Sequence, residues 1–355
     1  MSIPEAVNNV LCQWMKGRGP EDDIVLGSRI RLARNVDKVP FPAMANDEQL
    51  THICEIVRSA TADKGLDMDY LAMAQVPRLE RELLVEKHLI SPQQTREVQH
   101  KAVILRRDGL VSIMVNEEDH LRIQSIYPGF QLESAWEECD QVDDAIGEHL
   151  AYAFSPELGY LTACPTNVGT GLRASVMMHL PVLGMTNQMQ RVIPVVNKLG
   201  LAVRGLYGEG TEAVGSIYQI SNQLTLGHSE QEIMAHLATV ARQIVDQEKE
   251  ARQQVLRMGK AELEDRTYRA LGILSQARVL SSQEAMQLLS EVWLGVDLGL
   301  IDELDAQILK SLVVLIRPAH LQKIGGKDMD ADERDVYRAH LVREYIQTGL
   351  EDANA

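Results

Sequence analysis

Apolar and polar residues follow two different patterns along this chain of 355 residues, and the pattern changes near residue 229. Before that point, short apolar runs of strand length alternate with amphipathic stretches of helical period. Residues 102–107 and 110–115 are two such runs, and the Asp108-Gly109 pair between them predicts a β-hairpin. Further strands are expected at residues 24–26, 121–126, 158–163, 201–205 and 217–220, and helices at residues 3–16, 47–64, 78–89, 131–153 and 186–199.

The last third of the chain is predicted to be helical. Ser229 and Glu232 form a capping-box signature that opens a helix to about residue 258, residues 281–284 repeat it, and residues 330–333 carry a weaker form. Strand-like runs are nearly absent after residue 221. These patterns predict an α+β fold: an antiparallel-sheet domain flanked by helices over residues 1–255, followed by an all-α domain over residues 256–355. The helix from residue 229 is expected to bridge the two.

The charge balance and the cysteines limit the possible classes of function. A net charge of -16 and a pI near 5.1 argue against non-specific binding to nucleic acids or to anionic membranes. No apolar segment reaches the length of a membrane span, and the N-terminus lacks a signal-peptide pattern. The cysteines lie far apart and read as free thiols of a reducing compartment, which predicts a cytoplasmic protein; they are Cys12, Cys54, Cys139 and Cys164.

Three consecutive carboxylates, Glu117, Glu118 and Asp119, directly follow the second strand of the predicted hairpin. Adjacent like charges repel one another and need hydration, so such a run adds no stability by itself. One interpretation is a solvated acidic turn. The other is a site that uses the carboxylates on a cation, a proton or a metal. The ten histidines show no convincing metal-ligand spacing, and no metal site made by protein ligands is predicted.

Five arginines stand on predicted strands or in glycine-bearing loops, in four separate segments. Arg29 and Arg31 alternate with apolar residues, so on an extended segment their side chains share one face. The guanidinium is planar and permanently charged, which suits bidentate contacts with phosphate. Each arginine alone is most simply a surface residue. Together they predict a clamp for a polyphosphate; the set is Arg29, Arg31, Arg122, Arg173 and Arg204.

Four sequence motifs occur in a fixed order between residues 28 and 222. They are SRIRLAR at residues 28–34, NEEDHLRI at 116–123, CPTNVGTGLRAS at 164–175, and RGLYGEGTEA at 204–213 with IYQISN at 217–222. In this order they resemble the phosphagen (guanidino) kinases, a family that includes creatine and arginine kinases. Small-guanidine kinases have a helical domain before the first motif, where this chain has 27 residues, and this chain has a helical C-terminal domain instead. That arrangement resembles the bacterial protein-arginine kinases over essentially the whole chain.

The resemblance implies ATP and Mg²⁺ as cofactors, with Mg²⁺ bridging phosphate oxygens mostly through water. It implies that Glu118 is the catalytic base, that Glu209 is a second carboxylate on the guanidinium, and that Cys164 is a thiolate beside it. A buried structural thiol is the alternative for Cys164. The residues implied in nucleotide binding are Ser28, Arg29, Ile30, Arg31, His88, Arg122, Arg173, Ala174, Ser175, Val176, Met177, Arg204, Gly205, Leu206, Tyr207, Gly208 and Glu209.

The sequence RDVYRA at residues 334–339 is similar to the RDxxRA pattern of the phosphoarginine-binding pocket in the same kinases. On a helix, Arg334 and Arg338 are i,i+4 neighbours and can share one anion. A salt-bridged, exposed helix is the alternative. The resemblance implies an allosteric site for phosphoarginine at Arg334, Asp335, Arg338 and Ala339.

The function implied by the resemblance is ATP-dependent phosphorylation of arginine side chains in other proteins. It implies that the modified proteins are marked for a Clp-type protease, and that a heat-shock repressor is inactivated. A zinc-finger activator protein and a homodimer are also expected, without direct contact with nucleic acid or membrane. Two alternatives stay open: a small-guanidine phosphagen kinase, and a non-catalytic adaptor that binds phosphoarginine.

Overall fold

The computed structural model describes residues 5–62, 66–205 and 213–353. The chain divides into two compact units. The first unit consists of Met1–Pro20, Gly27–Val176 and Ser221–Thr239, and the second of Glu21–Leu26, Met177–Ile220 and Val240–Ala355. The domain boundary expected at residue 255 stays a prediction.

Ten strands and thirteen helices make up the described ranges. The strands are β1 Val25–Arg34, β2 Met68–Ala72, β3 Ala102–Arg106, β4 Val111–Val115, β5 Leu121–Pro128, β6 Phe154–Ser155, β7 Gly159–Tyr160, β8 Leu172–His179, β9 Leu201–Gly205 and β10 Ile217–Asn222. The helices are α1 Glu5–Asn8, α2 Gln13–Lys16, α3 Asp47–Ala62, α4 Arg78–Glu86, α5 Leu132–Gly147, α6 Pro181–Met185, α7 Met189–Lys198, α8 Glu230–Met258, α9 Lys260–Gln276, α10 Ser282–Asp297, α11 Ala306–Leu315, α12 Pro318–Gly325 and α13 Ala331–Ala353.

The sheet of the first unit has the strand order β2-β3-β4-β5-β1-β8, and the β2–β3, β3–β4, β4–β5 and β1–β5 pairs are antiparallel. The predicted hairpin is confirmed as β3 and β4. At its turn, the backbone N–H of Leu110 donates to the Asp108 carboxylate over 2.9 Å. Gly109 has a φ of 72°, and a Cβ there would lie 2.8 Å from the Cys12 sulfur, so only glycine fits the turn.

The register between β1 and β5 brings three arginines to one face of the sheet. Ala33 pairs with Arg122, and Arg31 pairs with Gln124 two residues further along. Directly paired residues point to the same side, as do residues two apart on one strand. Arg29, Arg31 and Arg122 therefore share a face, and the expectation for Arg29 and Arg31 is confirmed.

The second unit contains the end of β8 followed by β10 and β9 in the sheet order, and the helices from α9 onwards. After Asn222, the described residues form helices and no strands, as the sequence predicts. The core of this unit surrounds Trp293 of α10, which is fully buried together with Leu289, Leu312 and Val342. The apolar faces of α9, α10, α11 and α13 pack against one another in this core, and such packing is the main source of stability for a helical bundle.

Helix caps form at the three predicted positions. The Glu232 backbone N–H donates to the Ser229 hydroxyl over 3.2 Å, and the Glu232 carboxylate accepts from the Ser229 N–H over 2.9 Å. At α10, the Ser281 hydroxyl accepts from the Glu284 backbone N–H over 3.2 Å. The motif rated weaker, Asp330 with Glu333, makes both reciprocal bonds ahead of α13. Side-chain capping of free N–H groups therefore sets where these helices begin.

Two predicted helices are longer than the observed ones. The helix expected at residues 3–16 is two short helices, because the buried Lys87 ammonium binds the carbonyls of Ala6, Val7 and Asn9. The helix expected at residues 131–153 ends at Gly147. The residues that follow bond to the chain after β1 instead, with Ala153 N–H donating to the Asn35 carbonyl over 2.7 Å.

Two further predictions also need correction. The strand expected at residues 158–163 is only the two-residue β7, because Gly159 turns the chain so that Tyr160 pairs with Gly169. The helix expected at residues 186–199 is observed as α7, which begins three residues later at Met189 because Asn187 has a φ of 57°, and the short α6 before it was not predicted. Within the described ranges, none of the helices is both long and apolar enough to cross a membrane.

Candidate functional site

Four of the five predicted arginines lie close together in the first unit. Burial, together with the positive charges of Arg122 and Arg173, lowers the pKa of the Arg29 guanidinium to about 9. Burial and the positive charges of Arg29, Arg122 and Arg173 also lower the pKa of Arg31. The buried Nε of Arg31 has no hydrogen-bond partner. A bound polyanion would stabilise such a cluster of desolvated cations, and it could also accept a hydrogen bond from the Arg31 Nε.

The fifth arginine belongs to the second unit. Arg204 lies near the end of β9 and is exposed, and Gly205 ends the strand. The predicted site residues Leu206, Tyr207, Gly208 and Glu209 lie outside the described residues. Their expected roles, including that of Glu209 as the second carboxylate, stay predictions.

The acidic run forms a tight turn between β4 and β5. Asn116 starts it with a φ of 55°, and its N–H donates to the carbonyl of His120 over 3.0 Å. The Asn116 side chain is buried and donates to the carbonyls of Leu50 and His100. Burial lowers the pKa of His120 to about 4, so its imidazole is neutral and bonds to Val36 N–H and to the Pro40 carbonyl. The turn is thus held in one shape by groups on both sides.

The three carboxylates of this turn have different environments. Glu117 is nearly buried, with a 4% exposed side chain, and it accepts hydrogen bonds from Arg122 and Ser91. Burial alone would raise its pKa, but the Arg122 charge and these bonds hold the pKa below its usual range. Burial raises the pKa of Asp119, whose Oδ1 accepts from Asn35 and from Ala163 N–H.

Glu118 is the exposed member of the three. Partial burial and the negative charges of Asp119 and Glu117 raise the pKa of its carboxyl group, while Arg122 and a hydrogen bond with Cys164 act in the opposite direction. Raised pKa values bring a carboxylate closer to the range in which it accepts protons from a substrate. Of the three, Glu118 is therefore the carboxylate able to meet a ligand.

Cys164 is the one partly exposed cysteine of the four, whereas Cys12, Cys54 and Cys139 are buried. Its sulfur lies 3.0 Å from the Thr166 hydroxyl, at the start of the short 3₁₀-helix Pro165–Asn167. The thiol is partly exposed and close enough to Glu118 to lower the pKa of that carboxyl group, so Cys164 belongs to the acidic site and is not a core residue. In the part of the chain that the structure describes, no group of three or more His, Cys, Asp or Glu side chains could hold a metal ion.

Most of the other residues expected at the nucleotide have buried side chains in this structure. Ser28 bonds within the protein, donating to the Gly129 carbonyl and accepting from Gln131 N–H, both over 2.9 Å. Arg173 is partly exposed and donates to the Ser221 hydroxyl. The fully buried side chains in these segments are those of Ser28, Ile30, Ala174, Ser175, Val176 and Met177. For this group nucleotide contact stays a prediction.

His88 lies beside the arginine face. Its ring packs edge-on against Trp14, with ring centroids 5.7 Å apart, and its carbonyl accepts from the side chain of Gln124 over 2.8 Å. Gln124 is paired with Arg31 on the sheet. The position is compatible with a role near a nucleotide, which stays a prediction.

Two residues outside the predicted set complete the turn. Ser91 binds Glu117 from 26 positions earlier in the chain, where it caps the short 3₁₀-helix Pro92–Thr95. Asn35 directly follows the SRIRLAR motif and binds both Asp119 and the backbone of His120. Proximity to the motif was the signal that could have identified Asn35. No comparable signal marks Ser91.

The RDVYRA segment lies on α13 in the second unit. Arg338 is only 2% exposed, and its guanidinium donates to the carbonyls of Ile316 and Leu280 and pairs with Asp335. Burial lowers the pKa of Arg338, and the charges of Arg334 and Arg317 act in the same direction. Arg334 is partly exposed and donates to the Met329 carbonyl over 2.8 Å, while Ala339 is buried. The segment is therefore partly buried, and the alternative of an exposed, salt-bridged helix does not fit it.

Comparison with known proteins gives two matches to family models. Residues 49–251 match the C-terminal catalytic domain of ATP:guanido phosphotransferases. Residues 260–355 match the C-terminal domain of the protein-arginine kinase McsB. The acidic turn, Cys164, Arg122, Arg173 and Arg204 lie within the first match, and Arg29 and Arg31 lie before it.

Similar proteins and structures agree with these matches. The chain is 51% identical to the "Protein-arginine kinase" of Halothermothrix orenii, over 97% of this chain and 99% of that protein. It is 49% identical to the protein of the same name from Bacillus subtilis, over 98% of this chain and 96% of that protein. The crystal structure of a lombricine kinase is similar with a TM-score of 0.59 and 26% identity, covering 73% of this chain and 72% of that one. The chain therefore belongs to the ATP:guanido phosphotransferases, or phosphagen kinases, and within them to the protein-arginine kinase family.

Proposed function

We propose that this protein transfers the γ-phosphoryl group of ATP to arginine side chains of other proteins. The observation that carries the proposal is the acidic turn, in which the exposed Glu118 neighbours Glu117, and Glu117 holds Arg122 of the arginine cluster over 2.8 Å. One short segment thus supplies both a carboxylate for a guanidinium and a cation for a phosphate. The names of the relatives support a protein as the arginine-bearing substrate.

The chemistry explains why Glu118 has to act during phosphoryl transfer and not before it. A guanidinium has a pKa of roughly 12.5 to 13.8, so freeing a nitrogen lone pair at pH 7 costs about 7.5 to 9 kcal/mol. A carboxylate cannot remove that proton in a prior equilibrium. Glu118 therefore accepts the proton as the N–P bond forms, and the carboxylate also orients the guanidinium towards the phosphorus. Such alignment is worth up to ~7–11 kcal/mol.

The arginine cluster fits the polyphosphate of ATP. Arg29, Arg31 and Arg122 share a sheet face, and the buried Arg31 Nε still has a hydrogen bond to give. Bound phosphate oxygens would supply the missing acceptors and neutralise the mutual repulsion of the guanidinium groups. Mg²⁺ would supply further neutralisation of the phosphate charge, held by phosphate oxygens and water.

The C-terminal segment is proposed as a sensor of phosphoarginine. Arg334 and Arg338, with Arg317 near enough to affect the pKa of Arg338, form a second concentration of positive charge. A phosphorylated arginine presents a dianionic phosphoryl group that such a cluster can bind. We place the allosteric stimulation of the kinase by its own product at this site.

The wider setting is also a proposal. In this proposal the kinase is cytoplasmic and homodimeric, and a zinc-finger protein activates it. Its phosphorylated substrates, which include a heat-shock repressor, are marked for a Clp-type protease. The family to which the chain belongs motivates these steps. Incubation of the kinase with the candidate repressor and ATP, followed by assay of operator binding, tests the link to the repressor; unchanged operator binding by the treated repressor contradicts it.

The central experiment is mass spectrometry of an arginine-rich protein after incubation with the kinase, ATP and Mg²⁺. Acid-labile N-phosphorylation of arginine is expected, and phosphorylation confined to hydroxyl groups contradicts the proposal. The variant Glu118→Gln is expected to lose ~10²- to 10⁴-fold in turnover while it still binds ATP. Free arginine as sole acceptor tests the small-guanidine alternative. Binding of phosphoarginine proteins without any turnover would favour the adaptor.

A further inference from the structure

Asn35 lies where the acidic turn meets the segment that leads to Cys164. It follows the last residue of β1 and is 1% exposed. Its side-chain N–H₂ group donates to the Asp119 carboxylate over 2.6 Å and to the Leu161 carbonyl over 3.0 Å. Its side-chain oxygen accepts from the backbone N–H of His120 over 2.9 Å. The amide thus uses both donors and its acceptor on two different segments.

Asp119 completes the connection between these segments. The oxygen that binds Asn35 also accepts from the backbone N–H of Ala163 over 2.6 Å. Ala163 directly precedes Cys164, and Asp119 directly follows Glu118. The pair Asn35–Asp119 therefore ties together the chain next to two neighbouring groups of the site, the Glu118 carboxylate and the Cys164 thiol, which lies close enough to lower the pKa of Glu118.

The chemistry of this junction requires an amide at position 35. Aspartate has the same size and could still accept from His120 N–H, but it would place a second carboxylate against Asp119 in a buried position. Leucine is similar in size and would leave His120 N–H and one bond to Asp119 without a partner. An uncharged side chain with donors and an acceptor satisfies all three groups at once.

We propose that Asn35 is a positioning residue for phosphoryl transfer, which holds the Glu118 carboxylate in register with the Cys164 thiol. Asn35 itself touches no substrate. Its effect on turnover rests on the proposed function, whereas its effect on the geometry around Cys164 does not. The two effects can therefore be measured separately.

The first experiment needs no kinase activity. The rate of alkylation of Cys164 by iodoacetamide is followed by peptide mass spectrometry in the full-length protein, since the other cysteines are buried. In Asn35→Asp and Asn35→Leu, release of the turn moves the thiol away from the anionic Glu118, and the rate is expected to rise at least about threefold. An unchanged rate in both folded variants overturns the proposal.

The second experiment is steady-state kinetics with a protein substrate. Displacement of a catalytic group by about 1 Å can cost ~10²-fold, so kcat is expected to fall by that order while KM for ATP stays within about threefold. Loss of binding for ATP equal to the loss in kcat would contradict a positioning role. If the wild-type protein forms no phosphoarginine, the proposed function fails, and the alkylation rates still decide the role of Asn35.

Thr61→Val serves as the matched control for general destabilisation. Thr61 is buried in the same unit, and its hydroxyl donates to the carbonyls of Val57 and Arg58 on α3. The melting temperature of each variant is measured first, and all rates are compared well below the lowest midpoint. A change in alkylation of Cys164 in Thr61→Val as large as in the Asn35 variants would show that any loss of stability produces the effect, and would overturn the proposal.

Discussion

The Arg122 guanidinium donates a hydrogen bond of 2.8 Å to the Glu117 carboxylate, five positions earlier in the chain. Glu117 lies two residues after the end of β4, and Arg122 lies on β5, so the bond spans the acidic turn. Ser91 donates to the other oxygen of Glu117 over 2.5 Å. Glu117 therefore orients one arginine of the cluster while its neighbour Glu118 stays exposed. The arginine cluster and the candidate base are therefore coupled through adjacent residues.

Removal of the charge at position 117 is expected to weaken nucleotide binding. In Glu117→Gln, the Arg122 guanidinium loses an ionic acceptor and is no longer held in one orientation. A charge-assisted hydrogen bond contributes about 1.5–3 kcal/mol, so KM for ATP should rise by about tenfold or more. The control is Glu137→Gln, a change at an exposed position of α5, which should leave KM unaltered. Normal KM in Glu117→Gln would show that the bond has no part in binding ATP.

The pH dependence of turnover should reflect the raised pKa of Glu118. Protonation of the base removes activity at low pH, and the midpoint of that loss should lie above the usual value for glutamate. The negative charge of Asp119 contributes to the raised pKa. In Asp119→Asn this charge is absent, so the pKa of Glu118 falls and the midpoint moves to lower pH, by less than about one unit. A midpoint that moves to higher pH would contradict this electrostatic assignment.

The different roles of Glu117, Glu118 and Asp119 could not be read from the sequence. Their partners Ser91, Asn35 and Ala163 are 26, 84 and 44 positions away, and no local pattern encodes contacts over such distances. The sequence did predict the Asp108-Gly109 turn and the helix caps, because these features depend on hydrogen bonds between residues two or three positions apart. The prediction of one N-terminal helix was wrong for the same reason, a contact over a long distance in sequence: Lys87 binds the carbonyl of Ala6 from 81 positions away.

The arginine cluster should be unstable without a ligand and stabilised by one. In Arg31→Gln, a buried cation that is repelled by Arg29, Arg122 and Arg173 is absent. The melting temperature of the ligand-free protein is therefore expected to stay the same or to rise, while the stabilisation by inorganic tripolyphosphate falls sharply. Differential scanning fluorimetry measures both. The control Arg78→Gln changes an exposed arginine of α4 and should keep the response to tripolyphosphate. Equal stabilisation of Arg31→Gln and wild type would contradict a polyphosphate site here.

Replacement of Arg334 and replacement of Arg338, both on α13, should affect the protein differently. Arg338 makes internal bonds to Ile316, Leu280 and Asp335, so Arg338→Ala leaves buried acceptors unpaired and is expected to cost about 1–3 kcal/mol or more in stability. Arg334→Ala should retain the melting temperature to within a few degrees and still lose stimulation by free phosphoarginine. Stimulation of Arg334→Ala at wild-type phosphoarginine concentrations would place the sensor elsewhere. Arg334→Ala therefore separates binding from folding more cleanly than Arg338→Ala.

Asp297 should make the stability of the protein dependent on pH. Its side chain is 5% exposed beside Arg252, and burial raises its pKa to about 7, with Asp23 acting in the same direction and Arg252 and Lys310 against it. The unfolded value is about 3.9, so between these values the folded state binds more protons, and stability falls as the pH rises through this range. Asp297→Asn cannot titrate. The free energy of unfolding of the variant minus that of wild type should therefore increase between pH 5 and pH 7 and level off above that range. Urea unfolding at several pH values measures this difference, and a difference that decreases with pH would mean that Asp297 is ionised through its pairing with Arg252.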